Sequence, residues 1–374
     1  MKVLQLGKFY PPSTGGTETV VYDITEVLNE YKDVSCDVLC SSKNYIYEES
    51  SASNYKIIRT KSLGVYFSTS ITPQMIFKLK EIINNYDIIH VHLPDPMANI
   101  ALMLVDCSKQ KIILHWHSDI VKQKLLLKLY EPFQEWMMRR ADKIIATTPK
   151  YIEGSKYLQK YKDKCVSIPI GIDVCKLQKK DEKVLQIKEK YKNKIIIFSL
   201  GRLVYYKGFE YLIDSAKYLT DKYVILIGGN GPLKDSLYKK IIKNRLESKV
   251  KFLGRVEDDE LGSYYEACDI YCLPSIVKSE AFGIVQIEAM SFSKPIVATK
   301  IDGSGVDWVN KNHVSGVNVN PKNSRELAVA FNELMSNDDI YKKYSEGAKN
   351  RFDKLFNRDA MADSVYHTYK EILK

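Results

Sequence analysis

The chain has 374 residues, of which 45% are hydrophobic and 27% are charged. This composition is typical of a soluble globular protein and excludes a disordered or fibrous chain, and the length predicts two domains. We expect no secretory signal, because Lys2 is followed by only a short apolar run. No stretch approaches the roughly 18 apolar residues of a membrane-spanning helix.

The net charge of +10 comes from basic residues spread over both halves of the chain. Such a distribution favours an anionic small ligand or an anionic membrane surface, and we expect no nucleic-acid partner. The cysteines form no Cys-x-x-Cys pair, and both Cys36/Cys40 and Cys268/Cys272 lie in apolar runs. Buried free thiols of this kind predict a reducing, cytoplasmic location.

The first half alternates β-rich runs with helical patterns, which predicts a parallel sheet covered on both faces. The predicted strands cover residues 3–6, 34–39, 55–59, 88–92, 111–115, 143–147 and 166–168. The predicted helices cover residues 17–31, 73–84, 96–107, 121–140 and 150–161.

A turn at 169–173 and a charged stretch at 176–194 mark the predicted domain boundary, after which the alternation resumes. The later predicted strands cover 194–200, 223–227, 251–253, 270–273, 295–298 and 315–319, and the helices 209–218, 233–245, 258–267, 283–292, 324–336, 340–349 and 358–374. We therefore predict an α/β protein with two doubly wound, Rossmann-like domains facing a central cleft. The domains would be 1–172, completed by a C-terminal helix at 356–374, and 173–355.

Two polar clusters follow strands in the first half. Gly15 and Gly16 lie in a loop between the first strand and a helix, where backbone can approach a ligand, although an ordinary tight turn explains them equally well. The pairs His90-x-His92 and His115-x-His117 end neighbouring strands, and alternate residues share one face. A zinc site there lacks a convincing ligand set, so polar groups facing the cleft, or buried structural histidines, are the better interpretations.

Three loops of the second half follow strands in the same way. Arg202 and Lys207 lie on a strand-to-helix loop, where a guanidinium and an ammonium can neutralise a diphosphate. The turn around Gly229 permits close backbone approach, and the loop at Val256 could hold a base edge through its backbone groups. Each signal is modest alone, but their common place after strands makes coincidence an unsatisfactory explanation.

The segment 279–290 carries Glu280 before a helix and Glu288 about two turns later. The free N–H groups at the helix start, near Phe282, Gly283 and Ile284, suit an anion such as a diphosphate. One carboxylate could then accept sugar hydroxyls and the other ribose hydroxyls. An ordinary amphipathic helix with two surface glutamates remains the simpler explanation of this segment taken alone.

The acidic groups of the chain form no Asp-x-Asp clamp, so we predict that no divalent metal or other cofactor is needed. The candidates for such a clamp are Asp95, the run Glu257-Asp258-Asp259 and the pair Asp338-Asp339.

Together these motifs resemble family 4 of the retaining glycosyltransferases, which have the GT-B fold, and the resemblance covers essentially the whole chain. It implies that the C-terminal domain binds a nucleotide-sugar donor, the N-terminal domain binds the acceptor, and the last helix crosses back to the N-terminal domain. It implies the following roles: Arg202 and Lys207 hold the diphosphate, Glu280 the donor sugar, Glu288 the ribose, amides near Phe282, Gly283 and Ile284 the phosphates, with His117 and Gly16 close to the donor.

More narrowly, segments 115–121 and 279–286 are similar to bacterial mannosyl- and rhamnosyltransferases of surface-polysaccharide assembly. The resemblance implies hexose transfer, with GDP-mannose as the first candidate donor, to a lipid-linked glycan of an O-antigen or capsule. One departure is Ser293, where relatives carry a helix-ending glycine, and it could shift the end of the helix slightly.

Alternatives remain for the reaction and its donor. The donor could instead be UDP-glucose, UDP-galactose, UDP-GlcNAc, GDP-fucose or GDP-rhamnose. A sugar-nucleotide 2-epimerase shares the two-domain fold, and a non-catalytic nucleotide-sugar-binding protein would show erosion of Arg202, Lys207 or Glu280, which are all intact.

The predicted helix at 121–140 is a candidate for peripheral contact with an anionic inner membrane. Basic residues (Lys122, Lys124, Lys128, Arg139 and Arg140) flank apolar ones (Leu125, Leu126, Leu127, Leu129, Phe133 and Trp136). A core-facing helix with a solvated basic face explains the pattern equally well.

Overall fold

The computed structural model describes residues 1–13, 15–52, 54–67, 69–120 and 124–374, with only the backbone of 124–127. The chain forms two compact units: unit 1 comprises Met1–Gly171 with Arg358–Lys374, and unit 2 comprises Ile172–Asn357. The sequence analysis placed the two boundaries between these units after residues 172 and 355. Among the described residues, no helix combines the length and the apolar character needed to cross a bilayer.

Unit 1 is built on a largely parallel sheet in the strand order β10-β9-β8-β7-β1-β2-β4-β3, in which only β3 is antiparallel to its neighbour. After β1, the chain first adds strands on one side of it, as far as β4. It then returns to place β7 on the other side of β1 and adds β8, β9 and β10 in that direction, as in doubly wound folds. The unit's strands are β1 (Lys2–Gly7), β2 (Ser35–Ser41), β3 (Glu48–Ala52), β4 (Tyr55–Thr60), β5 (Val65–Tyr66), β6 (Thr69–Ser70), β7 (Ile88–Leu93), β8 (Lys111–Trp116), β9 (Lys143–Ala146) and β10 (Cys165–Ser167).

The strands predicted for the first half are confirmed to within one or two residues. The sequence missed β3 and the β5–β6 hairpin. The five residues of β3 are mostly glutamate and serine, and an edge strand of this kind lacks the apolar alternation that identifies a strand.

The helices of unit 1 cover the sheet. They are α1 (Gly16–Leu28), α2 (Gln74–Ile82), α3 (Pro96–Leu104), α4 (Lys124–Arg140) and α5 (Pro149–Gly154). The predicted helix at 150–161 is confirmed only up to Gly154, because the backbone becomes extended at Ser155 and a 3-10 turn at Leu158–Lys164 follows. The first three residues of the predicted helix at 121–140 lie outside the described residues.

Unit 2 has a parallel sheet in the order β13-β12-β11-β14-β15-β16. Here too the strand order reverses beside the first strand, since β12 and β13 are added on one side of β11 and β14 to β16 on the other. Its strands are β11 (Ile195–Leu200), β12 (Tyr223–Gly228), β13 (Val250–Gly254), β14 (Ile270–Leu273), β15 (Ile296–Thr299) and β16 (Gly316–Val319). Its helices are α6 (Asp181–Lys190), α7 (Phe209–Ser215), α8 (Lys234–Lys243), α9 (Asp258–Ala267), α10 (Ile284–Ser291), α11 (Val306–Val309), α12 (Ser324–Leu334) and α13 (Asp338–Leu355). The predicted fold class, two Rossmann-like units, is confirmed.

The charged stretch at 176–194 is not a simple linker, because it contains α6. Only Val184 and Ile187 of α6 are buried, and Lys183 forms an ion pair with Glu260 of α9 at 3.0 Å. With just two buried side chains among many lysines and glutamates, the helical period was too faint to see in the sequence.

The last helix, α14 (Arg358–Ile372), returns to unit 1 and packs on α1. Tyr366 stacks on Tyr31 with ring centroids 4.6 Å apart, and Tyr369 is fully buried. An element more than 350 residues from β1 in sequence thus completes the core beside it.

Ser293 takes the conformation that a helix-ending glycine would take. Its φ is +59°, in the left-handed region, and the N–H of Lys294 donates to the carbonyl of Ala289 at 3.1 Å. The chain therefore still reverses after α10 in the way that a glycine at this position would allow. Ser293 has a Cβ, so it bears the conformational strain of the left-handed region.

Candidate functional site

In unit 2, the predicted site residues cluster where the strand order reverses. β11 and β14 are neighbours in the sheet, and their carboxyl ends lead into the loops that carry Lys207 and Glu280. A doubly wound sheet opens a crevice at this point, because the two connections leave toward opposite faces.

Lys207 and Glu280 form the central ion pair of this site, with Nζ and Oε2 2.5 Å apart and each side chain 11% exposed. Burial alone would lower the pKa of Lys207, but the charge and hydrogen bond of Glu280 outweigh it and raise that pKa. The buried hydroxyl of Ser275 donates to the same Oε2 at 2.9 Å. Lys207 and Ser275 thus hold the side chain of Glu280 in a fixed orientation.

Glu288 lies on α10, the helix that follows Glu280 in the chain. The hydroxyl of Tyr265 donates to its Oε2 at 2.6 Å. Burial raises the pKa of Glu288, and both Tyr265 and the positive charge of Lys207 act in the opposite direction. The carboxylate therefore has a donor on Oε2, while Oε1 forms no hydrogen bond with the part of the chain that the structure describes.

The start of α10 presents backbone amides next to these carboxylates. Gly283 has φ +79°, and an added Cβ would lie 2.6 Å from Leu273 Cδ2, so a side chain is excluded here. The Phe282 ring points into the core against Phe356. Phe282 therefore contributes its backbone. The amides of Ile284 and Val285 have no intrahelical acceptor, whereas that of Gln286 donates to the Gly283 carbonyl at 2.9 Å.

Close backbone contacts join the loops that follow β11, β12 and β13. The N–H of Gly229 donates to the carbonyl of Gly254 at 2.6 Å, and the N–H of Gly201 donates to that of Gly228 at 3.1 Å. A Cβ on Gly229 would lie 2.0 Å from the Gly201 carbonyl oxygen. The glycines predicted for ligand approach thus first serve to bring backbone against backbone.

Val256 packs beside these glycine contacts, whereas the side chain of Arg202 is exposed. An added Cβ on Gly228 would lie 2.9 Å from Val256 Cγ2, so Val256 covers that glycine. Arg202 is exposed, and within the described residues its side chain has no hydrogen bond or ion pair. The structure therefore joins Lys207, but not Arg202, to the glutamates.

In unit 1, the predicted histidines form a stack at the carboxyl ends of β7 and β8. His92 Nδ1 lies 3.0 Å from His117 Nε2, and the rings of His115 and His117 are 4.3 Å apart and nearly parallel. Burial lowers the pKa of His117 to about 3. Gly15 caps α1, which begins at Gly16, with extended backbone at φ 169°.

Three of these histidines are close enough to be considered as a metal site. One ring nitrogen from each of His90, His92 and His115 lies within 4.8 Å of the others. The His90 and His115 rings are inclined by 8°, and those of His92 and His115 by 24°. Lone pairs lie in the ring planes, so stacked rings do not direct them at one ion as a tetrahedral zinc site requires. The geometry favours neutral, packed imidazoles.

Sequence reasoning missed the residues that hold the predicted ones in place. Ser275 and Tyr265 orient the two glutamates, while Gln5 and Tyr369 contact the histidine stack. A serine two residues after a buried strand is a detectable signal. Nothing in the local sequence marks the other three.

Comparisons with known proteins identify the family of the chain. Residues 180–351 match the family model described as glycosyl transferases group 1, and residues 14–176 match that of Glycosyltransferase Family 4. The Escherichia coli protein "O-antigen chain mannosyltransferase C" is 32% identical over 375 residues, covering 100% of this chain and 99% of that protein. The Pseudomonas aeruginosa "D-rhamnosyltransferase WbpZ" is 28% identical, covering 95% and 92%.

Among solved structures, Anabaena HepE in complex with UDP superposes with a TM-score of 0.78 at 20% identity, covering 99% of this chain and 100% of HepE. A likeness at this identity concerns the fold. Taken with the full-length identity to the E. coli protein, it shows that the chain belongs to the family 4 glycosyltransferases and has their GT-B fold.

Proposed function

We propose that the chain transfers a hexose, with retention of anomeric configuration, from a nucleoside-diphosphate sugar to a lipid-linked glycan of a surface polysaccharide. Mannose from GDP-mannose is the first candidate, because a full-length relative is named an O-antigen chain mannosyltransferase. The observation that carries the proposal is the Lys207–Glu280 pair at the strand reversal of unit 2.

The donor would be held by charge and backbone groups of unit 2. An ammonium has three N–H donors, so Lys207 can bond Glu280 and still offer two to diphosphate oxygens. Arg202, exposed on the same loop, adds a second cation, and the α10 amides add neutral donors. The free oxygen of Glu288 would accept the ribose hydroxyls.

The reaction would proceed on one face of the sugar. Glu280 is bonded by Lys207 and Ser275, an arrangement that suits accepting sugar hydroxyls rather than attacking the anomeric carbon. The departing diphosphate would take the proton of the acceptor hydroxyl. The protein's contribution would be positioning, together with stabilisation of the charge that develops on the leaving group.

A donor screen tests this function. We expect GDP-hexoses, offered with a lipid-linked glycan, to release nucleotide faster than UDP-sugars do, and the released amount to equal the glycan extended. Sugar isomerisation without glycan extension would indicate the epimerase alternative. Tight donor binding without turnover of any donor–acceptor pair would indicate a non-catalytic protein.

We propose that Lys207 and Arg202 replace a divalent metal. Transfer should be unchanged when EDTA is added in excess to protein prepared without added metal, because both cations are part of the chain. The check compares initial rates with EDTA alone and with EDTA followed by magnesium or manganese. Activity lost in EDTA and restored by either ion would contradict the proposal.

We also propose that α4 contacts an anionic bilayer. Leu129 and Phe133 are 74% and 42% exposed at helical spacing, and Lys128 and Arg139 are exposed as well. The two acidic residues of α4 lie on its other side and are paired, Glu131 with Lys156 and Glu135 with Lys160. Lys128 and Arg139 form no ion pair with any described residue, and apolar side chains beside such cations suit the surface of an anionic membrane. Lys122 and the side chains of 124–127 lie outside the description.

Co-flotation with vesicles containing anionic lipid tests the membrane surface. The double change Leu129→Glu with Phe133→Glu should lower the bound fraction about tenfold or more, since two apolar side chains no longer enter the interface. Phe77→Glu, at a 72% exposed position on α2, is the matched control and should bind normally. Equal loss in both variants, or no binding of the parent at low salt, would refute the α4 assignment.

A further inference from the structure

The positive charge of unit 2 is concentrated in one segment of the chain. Residues 217–255 carry ten basic and three acidic side chains, whereas the rest of unit 2 carries 21 basic and 22 acidic ones. The segment runs from the turn after α7 through β12 and α8 to β13, so the excess lies at one edge of the six-stranded sheet. Charge gathered in this way creates a local positive potential, which points to an anionic partner.

The helix α8 presents part of this charge as a row. Lys239 and Lys243 are exposed and four residues apart, so they are neighbours along the helix surface. They line a groove of about 450 Å³ together with Lys217 and Lys240. The carboxylate of this groove, Asp214, is paired with Lys217 at 2.8 Å and with Lys240 at 2.6 Å. Lys239 and Lys243 form no ion pair with any described residue, so their charges remain available.

An exposed apolar row lies beside this basic row. Tyr238 and Ile242 are also four residues apart, and they are 54% and 46% exposed. Leu237 and Ile241 already supply the buried contacts of α8, so the exposed pair is not part of the core. Adjoining apolar and basic rows on the solvent side are typical of a helix that lies in the interface of an anionic bilayer.

The helix α6 shows that this pattern is not general among the lysine-rich helices of the unit. Like α8, it has ten residues, and its Leu185 is 67% exposed. Its three lysines are matched by three acidic residues, and Lys183 is paired with Glu260 at 3.0 Å. By contrast, α8 has four lysines and a single acidic residue, Asp235, in its first turn.

We propose that the α8 surface, formed by Tyr238, Lys239, Ile242 and Lys243, docks on the headgroup region of an anionic lipid bilayer. The two ammonium groups contact lipid phosphates, while the lysine stems and the two apolar side chains enter the boundary with the acyl chains. The tyrosine hydroxyl stays among the polar headgroups. This surface belongs to unit 2 and is separate from α4 of unit 1, and it does not depend on the proposed sugar transfer.

Binding of the full chain to vesicles of phosphatidylglycerol and phosphatidylcholine, without donor or acceptor, tests the basic row. A lysine near an anionic bilayer strengthens binding about fivefold at low salt. Lys239→Gln with Lys243→Gln should therefore lower the partition constant about 25-fold. Asp235→Asn should raise it about fivefold, because one repelling charge is removed within a screening length of Lys239.

Lys188→Gln with Lys190→Gln is the matched control, because it removes the same charge from exposed positions on α6. It should change the partition constant less than about twofold, since α6 does not touch the bilayer and exposed charges act over short distances. Equal losses in the two pairs would mean that total charge, and not α8, drives binding. That result would overturn the proposal, as would parent protein that ignores anionic vesicles or binds phosphatidylcholine alone equally well.

Acetylation of the parent protein by a water-soluble reagent gives an answer that needs no variant. Anionic vesicles should slow the modification of Lys239 and Lys243, because the bilayer covers them, and should leave Lys188 and Lys190 unaffected. Mass spectrometry of the peptides measures each rate. Unchanged rates at Lys239 and Lys243 in vesicle-bound protein would contradict the docking of α8.

Tyr238→Gln with Ile242→Gln separates a bilayer from a soluble polyanion, which offers phosphates but no apolar phase. This pair should weaken vesicle binding about tenfold and leave the binding of inorganic polyphosphate unchanged, whereas the lysine pair weakens both. Leu185→Gln on α6 is the control and should bind vesicles normally. Vesicle binding that survives the loss of Tyr238 and Ile242 undiminished would show that α8 takes phosphates or an acidic protein, and the bilayer would be ruled out as its partner.

Discussion

Lys207→Met is expected to lower kcat/KM for sugar transfer by about 10²- to 10³-fold, the usual loss when a fixed cationic or hydrogen-bonding group is removed from a developing charge. Methionine keeps the length and apolar stem of lysine but removes the ammonium 2.5 Å from Glu280 Oε2. The remaining carboxylate is nearly buried and has no counter-charge at that oxygen. The free energy of unfolding should therefore fall by about 3 kcal/mol, less than for a fully buried pair.

Glu280→Gln and the double variant Lys207→Met with Glu280→Gln complete a cycle that separates the two effects. Removing both charges should restore much of the stability lost in Lys207→Met, because no charge is left unpaired, while transfer stays lost. Lys192→Met is the matched control, since its pair with Glu189 leaves both side chains largely exposed, and neither stability nor transfer should change measurably. Near-normal turnover of Lys207→Met would refute the site assignment.

The sequence predicted the fold well because most of the parallel strands contain short apolar runs, a signal that can be recognised without knowing which strands are neighbours. It singled out Lys207 and Glu280 because they lie on loops between a strand and a helix, and Glu288 because it lies on the helix that follows Glu280. It did not predict that Lys207 pairs with Glu280 rather than acting with Arg202. That pairing depends on β11 and β14 being neighbours in the sheet, which no local pattern reveals.

The histidine stack shows the same limit more strongly. The His-x-His spacing placed four histidines on two strand ends, and the structure brings them together. Two of them form hydrogen bonds with Gln5 and Tyr369, which are 364 residues apart in sequence. A buried glutamine in a strand and a tyrosine in an amphipathic helix are individually unremarkable, so this part of the site becomes visible only once α14 has packed on the sheet.

The close backbone contact of Gly229 with Gly201 in unit 2 gives the second large expected effect. Here the addition of a single methyl group should lower both stability and donor binding. Gly229→Ala should lower the free energy of unfolding by about 3–5 kcal/mol and abolish donor binding. The added Cβ would lie 2.0 Å from the Gly201 carbonyl oxygen, and the backbone φ of +125° is unfavourable for any residue with a side chain. Relieving the clash has to move the loop after β11, which carries Arg202 and Lys207.

Gly254→Ala separates steric contact from backbone strain. Gly254 also has a positive φ, +72°, but an added Cβ there meets no described heavy atom within 4 Å. Its cost should be about 1–2 kcal/mol, from the left-handed conformation alone, and donor binding should persist because no loop is displaced. Chemical denaturation and nucleotide-sugar binding by calorimetry measure both quantities for the two variants. Equal losses would mean that the Gly201–Gly229 contact does not hold the Lys207 loop, whereas a loss of binding confined to Gly229→Ala would establish that backbone contact as what positions the lysine.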